Sequence, residues 1–358
     1  MTKVVVALSG GVDSSVAAAL LVEQGYDVTG VSMKLWSAPG CEEENRCCTP
    51  QTRELAAQLA QQLGIPCHIL DAQQAFRQAV VQRFLDGYSS GNTPNPCVYC
   101  NRYLKWDYLW QFAQSIGAEA IATGHYARLR RSADGVYEIW KGVDASKDQT
   151  YFLSLLTQQH LEHSLFPLGE YTKVQVRQIA HERQLPAADA PESQDLCFLG
   201  KRDYRDFLCE YAPQAVQPGE IVDRQGKVLG SHNGLAFYTI GQRKGLPAAA
   251  QALYVYQKDV EQNRVVVATE AELGMDSMHV SNINWIAGAP PAEHFSAQVK
   301  IRSKAAPAPA EVETLPDGGC AVHFAQPLRD ITPGQLAVFY ADEKVLGGGW
   351  ISQAEMMA

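Results

Sequence analysis

The stretch KVVVALSGGVDSSVAAALLVEQG, residues 3 to 25, restricts the fold more than any other part of the chain. A β-branched run ends at a Ser-Gly-Gly turn and passes directly into an Ala- and Leu-rich segment closed by Gly25, which reads as strand, glycine turn and helix with a glycine C-cap. DVTGVSMKL (27–35) gives a second strand. TPQTRELAAQLAQQLG (49–64) gives a second helix with Thr49 as N-cap and Pro50 in its first position, and PCHILD (66–71) a third strand. Strands alternating with helices predict an α/β fold around a doubly wound parallel sheet.

The alternation continues through helical patterns at 73–87 and 102–116, a strand-like AEAIATGHYARL (118–129) and an amphipathic helix at 171–185. From about residue 216 the texture changes to short β-rich runs such as GEIVD, KVLGSH, ALYVYQKD and NRVVVAT, separated by Gly, Pro, Asn and Asp. The expected organisation is a catalytic α/β domain over 1–200, a central β-rich domain over 201–282 and a C-terminal β-barrel over 283–358. The polar stretch SAPGCEEENRCC (37–48) reads as a surface loop.

A chain of 358 residues is long enough for two or three domains. It has neither the basic leader and apolar run of a signal peptide nor the ~18 apolar residues needed to span a bilayer, so a cytoplasmic protein without a membrane partner is expected. Thiols stay reduced there, and nine cysteines then suggest chemistry or metal more than cross-links. The net charge of -9 argues against a wholly basic nucleic-acid binder, although ARLRR (127–131) and VKIRSK (299–304) supply local basic faces.

The turn SGGVDSS (9–15) lies where a doubly wound sheet binds ligands, at the carboxyl end of a strand and the amino end of a helix. Its glycines let the backbone approach phosphate, Ser9, Ser14 and Ser15 offer hydroxyls, and Asp13 could orient Mg2+. There is no GxxxxGK[ST] and no GxGxxG after this strand. Among the cysteines, Cys67, Cys209 and Cys320 sit in apolar contexts and read as small buried hydrophobes. Cys97, Cys100 and Cys197 lie in polar, turn-forming sequence; a zinc clip, a redox pair and sulfur nucleophiles all remain open for them.

SGGVDSS resembles the phosphate loop of the ATP pyrophosphatase (PP-loop) superfamily, which implies ATP cleavage between the α and β phosphates and an adenylated substrate. TPNPxxxCN, GHYAR (124–128), KDQTYFL (147–153), ESQDLCF (192–198), YTIGQRKGL (238–246) and TPGQLAVFY (332–340) are together similar to the tRNA-specific 2-thiouridylase (MnmA) family, from residue 4 to about 351. The resemblance implies a sulfurtransferase that adenylates and then thiolates C2 of the wobble uridine in tRNAs for Lys, Glu and Gln. Cys197 would accept persulfide sulfur from a cysteine desulfurase or sulfur carrier protein, and Cys100 would release product by forming a disulfide with Cys197.

The resemblance places ATP at Ala7, Leu8, Ser9, Gly10, Gly11, Val12, Asp13, Ser14, Met33 and Gly124. It places the target base at Asn95, Pro96 and Cys97, and the anticodon arm of tRNA at His125, Lys147, Asp148, Gln149, Arg302, Ser303 and Gln335. The family pattern reads NPDxxC, and Cys97 stands where that pattern has aspartate. A thiol does not inherit a carboxylate's proton chemistry, so Cys97, Cys100 and Cys197 could instead hold a [4Fe-4S] cluster for the same reaction. Two further readings are an ATP-dependent amide or amidine synthetase, which needs neither Cys100 nor Cys197, and a nucleotide or metal sensor using CxxC and Cys47-Cys48 as a switch.

Overall fold

The computed structural model describes residues 1–41, 49–191 and 196–355. Strands β1 (Lys3–Ala7), β2 (Asp27–Lys34), β3 (Cys67–Asp71) and β4 (Ala120–Ala122) belong to a parallel sheet. A hairpin follows, β5 (Ala127–Arg131) and β6 (Tyr137–Lys141), and then β7 (Ser164–Leu165), which completes the parallel sheet in the order β3-β2-β1-β4-β7. Helix α1 (Val12–Glu23) connects β1 to β2. Helix α2 (Pro50–Leu63) connects β2 to β3, with the Thr49 hydroxyl accepting from the Thr52 amide and Gly64 closing it at φ 66°. The alternation expected from sequence is thus realised as a doubly wound sheet.

Side chains alternate across β1 and divide the core between the sheet's two faces. Val4 and Val6 pack with α1, α2 and the helix Lys173–Glu182. Val5 points the other way, into a core that contains Trp106 and Leu109 and also Leu336, Val338 and Tyr340 of the C-terminal strands. The parallel sheet and the C-terminal β region therefore share one apolar interior.

The segment 118–129 differs from the single strand its pattern suggests. It is two strands in different sheets, because the chain leaves the parallel sheet where Gly124 is pressed against the start of α1: a Cβ there would lie 2.7 Å from the Asp13 carbonyl carbon. The helical pattern of 102–116 begins earlier than expected, at Pro96, and runs through a widened π-type turn, Cys100–Tyr108, to Ser115. Cys67 and Cys209 are exposed, whereas Cys320 is buried. Cys67 opens the edge strand of the sheet and Cys209 lies on the outer face of the helix Tyr204–Tyr211, so an apolar context in sequence did not guarantee a covering layer.

The remaining strands form two sheets. β8 (Gly219–Asp223), β9 (Val228–His232), β10 (Leu253–Asp259) and β11 (Arg264–Thr269) make a small four-stranded module. β12 (Met275–Trp285), β13 (His294–Lys300), β14 (Ala308–Thr314), β15 (Cys320–Leu328), β16 (Leu336–Ala341) and β17 (Lys344–Glu355) pair antiparallel, and β12–β17 pairing closes them into a six-stranded barrel. Closure removes the free edges that six exposed strands would otherwise offer. The β5–β6 hairpin joins this barrel at Lys344–Trp140, tying it to the N-terminal α/β domain. No helix of the described residues is long and apolar enough to cross a membrane.

Candidate functional site

β1 ends at Ala7, and Leu8 through Gly11 turn the chain into α1. Gly10 takes φ +74°, and a Cβ there would fall 2.3 Å from the Thr52 carbonyl oxygen, so both backbone angle and space demand glycine. Gly11 is the N-cap and brings no side-chain acceptor, which leaves the first amides of α1 facing outward. The hydroxyls of Ser14 and Ser15 each donate to the Gly11 carbonyl at 3.0 Å, and the Ser9 amide donates to Ser14 Oγ at 3.2 Å. These bonds fix a concave run of amides suited to phosphate oxygens. Gly124 touches the loop's backbone and Met33 stands near the end of β2, so two residues distant in sequence come to the same edge of the sheet.

Asp13 is held by an arrangement that its motif does not foretell. Lys173 Nζ lies 2.7 and 2.8 Å from the two carboxylate oxygens, and the Tyr126 hydroxyl donates to Oδ1 at 2.7 Å. Lys173 is 8% exposed and is the first residue of its helix, where the dipole disfavours a cation. Tyr126 is anchored in turn by Gln149: its amide donates to Gln149 Oε1 and its carbonyl accepts from the Gln149 amide, both at 3.2 Å. The phosphate loop is thus coupled to KDQT through Gln149. Sequence reasoning missed Lys173; the only available signal was a lysine directly after the helix-capping Thr172.

Asn95 is the N-cap of Pro96–Tyr99, with buried Pro96 in the first position. Cys97, next along, is exposed, while Cys100 and Cys197 are half-buried against one apolar cluster. That cluster contains Phe76, Phe84, Leu104 and Phe198, and Met33 packs against it as well. Its rings interlock edge to face, Phe198 lying 5.3 Å from Phe84 and 6.0 Å from Phe76. The two cysteines of distant motifs therefore share one wall with Met33, near the end of β2, and exposed Cys97 is not part of it. Among the described residues no group of three or more His, Cys, Asp or Glu is placed to hold a metal ion. Cys97, Cys100 and Cys197 are thus not gathered as metal ligands among the described residues. Residues 192–195, the ESQD of the second cysteine motif, and Cys47 and Cys48 lie outside the described residues.

The positions expected to face tRNA serve varied structural roles. His125 is 7% exposed, with Nδ1 2.6 Å from Thr123 Oγ1 and Nε2 3.4 Å from Lys105 Nζ; burial, reinforced by the Lys105 charge, drives its pKa well below the ordinary histidine value. In this structure it packs as a buried histidine. Asp148 accepts from the amide and hydroxyl of Thr150, and burial raises its pKa. Gln335 Nε2 donates to the Thr93 carbonyl at 2.7 Å, pinning the barrel to the TPNP turn. Arg302 pairs with Asp330 at 2.9 Å and donates to the Ile240 carbonyl at 3.0 Å, which joins YTIGQ to the barrel. Lys147 and Ser303 are partly exposed. In the basic segment 127–131, Arg128 is paired with Glu343 at 2.6 Å.

Three domain profiles match the chain in series. They are the tRNA methyl transferase HUP domain over residues 2–201, the tRNA methyl transferase PRC-barrel domain over 205–269 and the aminomethyltransferase β-barrel domain over 275–351. The chain is 48% identical over 352 residues to the tRNA-specific 2-thiouridylase MnmA of Magnetococcus marinus, covering 98% of each chain. It is 46% identical over 359 residues to the protein of the same name from Chloroflexus aggregans, covering 99% of this chain and 100% of the other. A solved 4-thiouridine synthetase–RNA complex with bound ATP overlaps at a TM-score of 0.35 and 20% identity, over 60% of this chain and 50% of that one. So slight a likeness supports nothing further.

Proposed function

The chain belongs to the tRNA-specific 2-thiouridylase family, and on that premise we propose that it uses ATP to replace the C2 oxygen of a tRNA wobble uridine with sulfur. The observation that carries the reading is the wall shared by Met33, Cys100 and Cys197. That shared packing supports two thiols acting together near the end of β2, where an adenylated base would have to lie.

In the proposed sequence the uridine C2 oxygen attacks the α phosphorus of ATP held by Ala7 to Ser14, and pyrophosphate leaves. The terminal sulfur of a Cys197 persulfide, having lost its proton to solvent, attacks C2, and AMP leaves with the oxygen. The Cys100 thiolate then attacks Cys197 Sγ. The sulfur–sulfur bond breaks toward the base, which leaves as 2-thiouridine, and a Cys100–Cys197 disulfide remains for an external dithiol to reduce. Extrusion of the base from its stack is required for either attack, and Asn95 and Pro96 border the space it would enter.

The loop's only carboxylate, Asp13, is already paired with Lys173, so these residues alone do not fit Mg2+. Lys173 is instead the cation that phosphate oxygens would meet. Methyl transfer has no use for an ATP-cleaving loop or two cysteines on one wall. An amide synthetase would use the loop but leaves the cysteines without work.

The reading is tested by single-turnover thiolation of an unmodified tRNA transcript with ATP and a persulfide donor, using anaerobic protein of measured iron content. Thiolated tRNA from iron-free protein, with Cys197→Ser still forming adenylated tRNA but no thiouridine, is the expected result. Activity proportional to iron, or loss of adenylation in Cys197→Ser, contradicts it.

A further inference from the structure

A groove of about 710 Å³ lies between the helical run that starts at Pro96 and the barrel, lined by none of the positions assigned above to ATP, to the thiols or to tRNA, with Pro94 at its border. One side is a ladder of rings. Tyr103 stacks on Tyr99 with centres 6.4 Å apart, and Tyr99 stacks on Trp350 of β17 at 4.8 Å and 23°. Two guanidinium groups lie over the ladder: Arg83 is 5.3 Å from the Tyr99 ring and 4.7 Å from Tyr103, and Arg102 is 5.4 Å from Tyr103.

Their ion-pair partners differ. Arg102 is partly neutralised by Asp107 at 2.5 Å, which also faces His160 at 3.2 Å. Arg83 is exposed and has no carboxylate partner among the described residues. Among the described residues no Asp or Glu lines the groove, in a chain whose net charge is -9. A concavity that collects arginine and aromatic faces while excluding carboxylates matches the chemistry of a nucleotide, with guanidinium for phosphate and rings for base.

The opposite rim carries a local departure from regular pairing. The β12–β17 register slips between Ser281 and Asn284, and Asn282 within that bulge takes φ +50° and is exposed at the groove. Bulges of this kind re-aim side chains, and asparagine is among the few residues that enter the left-handed region readily. The bulge turns an amide, able to donate and accept, toward the space in front of the ring ladder.

We propose that this groove binds a nucleotide flanking the target uridine of the same tRNA, with Arg83 and Arg102 on its phosphodiester and the Tyr103–Tyr99–Trp350 ladder beside its base. The proposal rests on the thiolation reading for the identity of the RNA. The position supports it: Pro94 borders the groove, and Asn95, Pro96 and Cys97 follow immediately, so an extruded base and its neighbour would lie on two sides of one turn.

The test is tRNA binding by fluorescence anisotropy over a range of salt, alongside single-turnover thiolation at saturating tRNA, for Arg83→Gln and Asn282→Asp with unchanged thermal melts. Removing one phosphate contact should weaken binding ~10-fold and lower the slope of log Kd against log salt by about one, and the new carboxylate at 282 should weaken it ~3-fold, with the saturated thiolation rate unchanged. Unchanged affinity and slope in both variants overturns the proposal. So does a selective rise in the KM for a protein persulfide donor, which would make the groove a protein-docking face. Wild-type protein that binds tRNA in this salt-dependent way without thiolating it would sink the proposed reaction while leaving the groove's role standing.

Discussion

The phosphate loop and the cysteine wall both reach the carboxyl edge of the parallel sheet, yet they are specified at different ranges. Eight consecutive residues from Ala7 to Ser14 build the loop, and its geometry follows from two glycines, a strand end and a helix start. The wall needs Met33, Cys100 and Cys197, from three separate segments brought together by aromatic packing. A local site should be damaged through backbone geometry and charge. A site assembled at long range should be damaged through the identity of its few reactive atoms, with little loss of stability.

The comparison would be broken most sharply at the thiols. Cys100→Ser should lower single-turnover formation of released thiouridine by at least ~10³-fold while shifting the melting temperature little, whereas exposed Cys97→Ser should stay within about threefold of wild type. Equal losses for the two variants would put Cys97 back in the chemistry.

On the loop side, Lys173→Met leaves Asp13 uncompensated beside incoming phosphate, and the KM for ATP should rise ~10- to 100-fold. Asp13 is about a third exposed, so solvent screening should limit the accompanying loss of stability to ~1–2 kcal/mol by denaturant titration. A change in stability without a change in KM would make the pair purely structural.

Gly10→Ala forces a Cβ into the Thr52 carbonyl at an angle that disfavours side chains, and should cost ~2–3 kcal/mol in urea unfolding together with ATP binding. A milder outcome would show that the turn can relax, and would weaken the claim that this site is set by backbone geometry.

The smallest effect concerns His125. Its pKa in the folded protein lies well below 6.5, so the unfolded chain takes up the proton first as acid is added. The neutral ring's contribution is complete above pH ~6.5 and falls away as the pH drops below it. His125→Gln should therefore flatten part of the stability loss between about pH 6.5 and 5. An unchanged slope would mean that the ring is not held neutral.

The sequence made the loop and α2 legible because each is encoded within a few residues: Thr49 with Pro50 starts that helix and Gly64 ends it, as expected. The barrel was legible only as β-rich texture, since its closure depends on β12 meeting β17 across the whole module. The strand reading of 118–129 missed the break at Gly124 because the reason is a contact with α1, invisible in periodicity. Lys173 escaped for the same cause: its partner Asp13 lies in another motif, and a lysine at the start of a helix reads as solvated until burial is known. His125 and Arg302, expected at RNA from their motifs, also make contacts within the protein that periodicity does not reveal.

The central claim is that Cys100 and Cys197 act as a pair, and mass spectrometry of the protein trapped after one anaerobic turnover tests it directly. The account predicts one Cys100–Cys197 disulfide per thiouridine formed, with Cys97 still a thiol. Thiouridine formed without that disulfide, or a disulfide that joins Cys97 to Cys100, would contradict it.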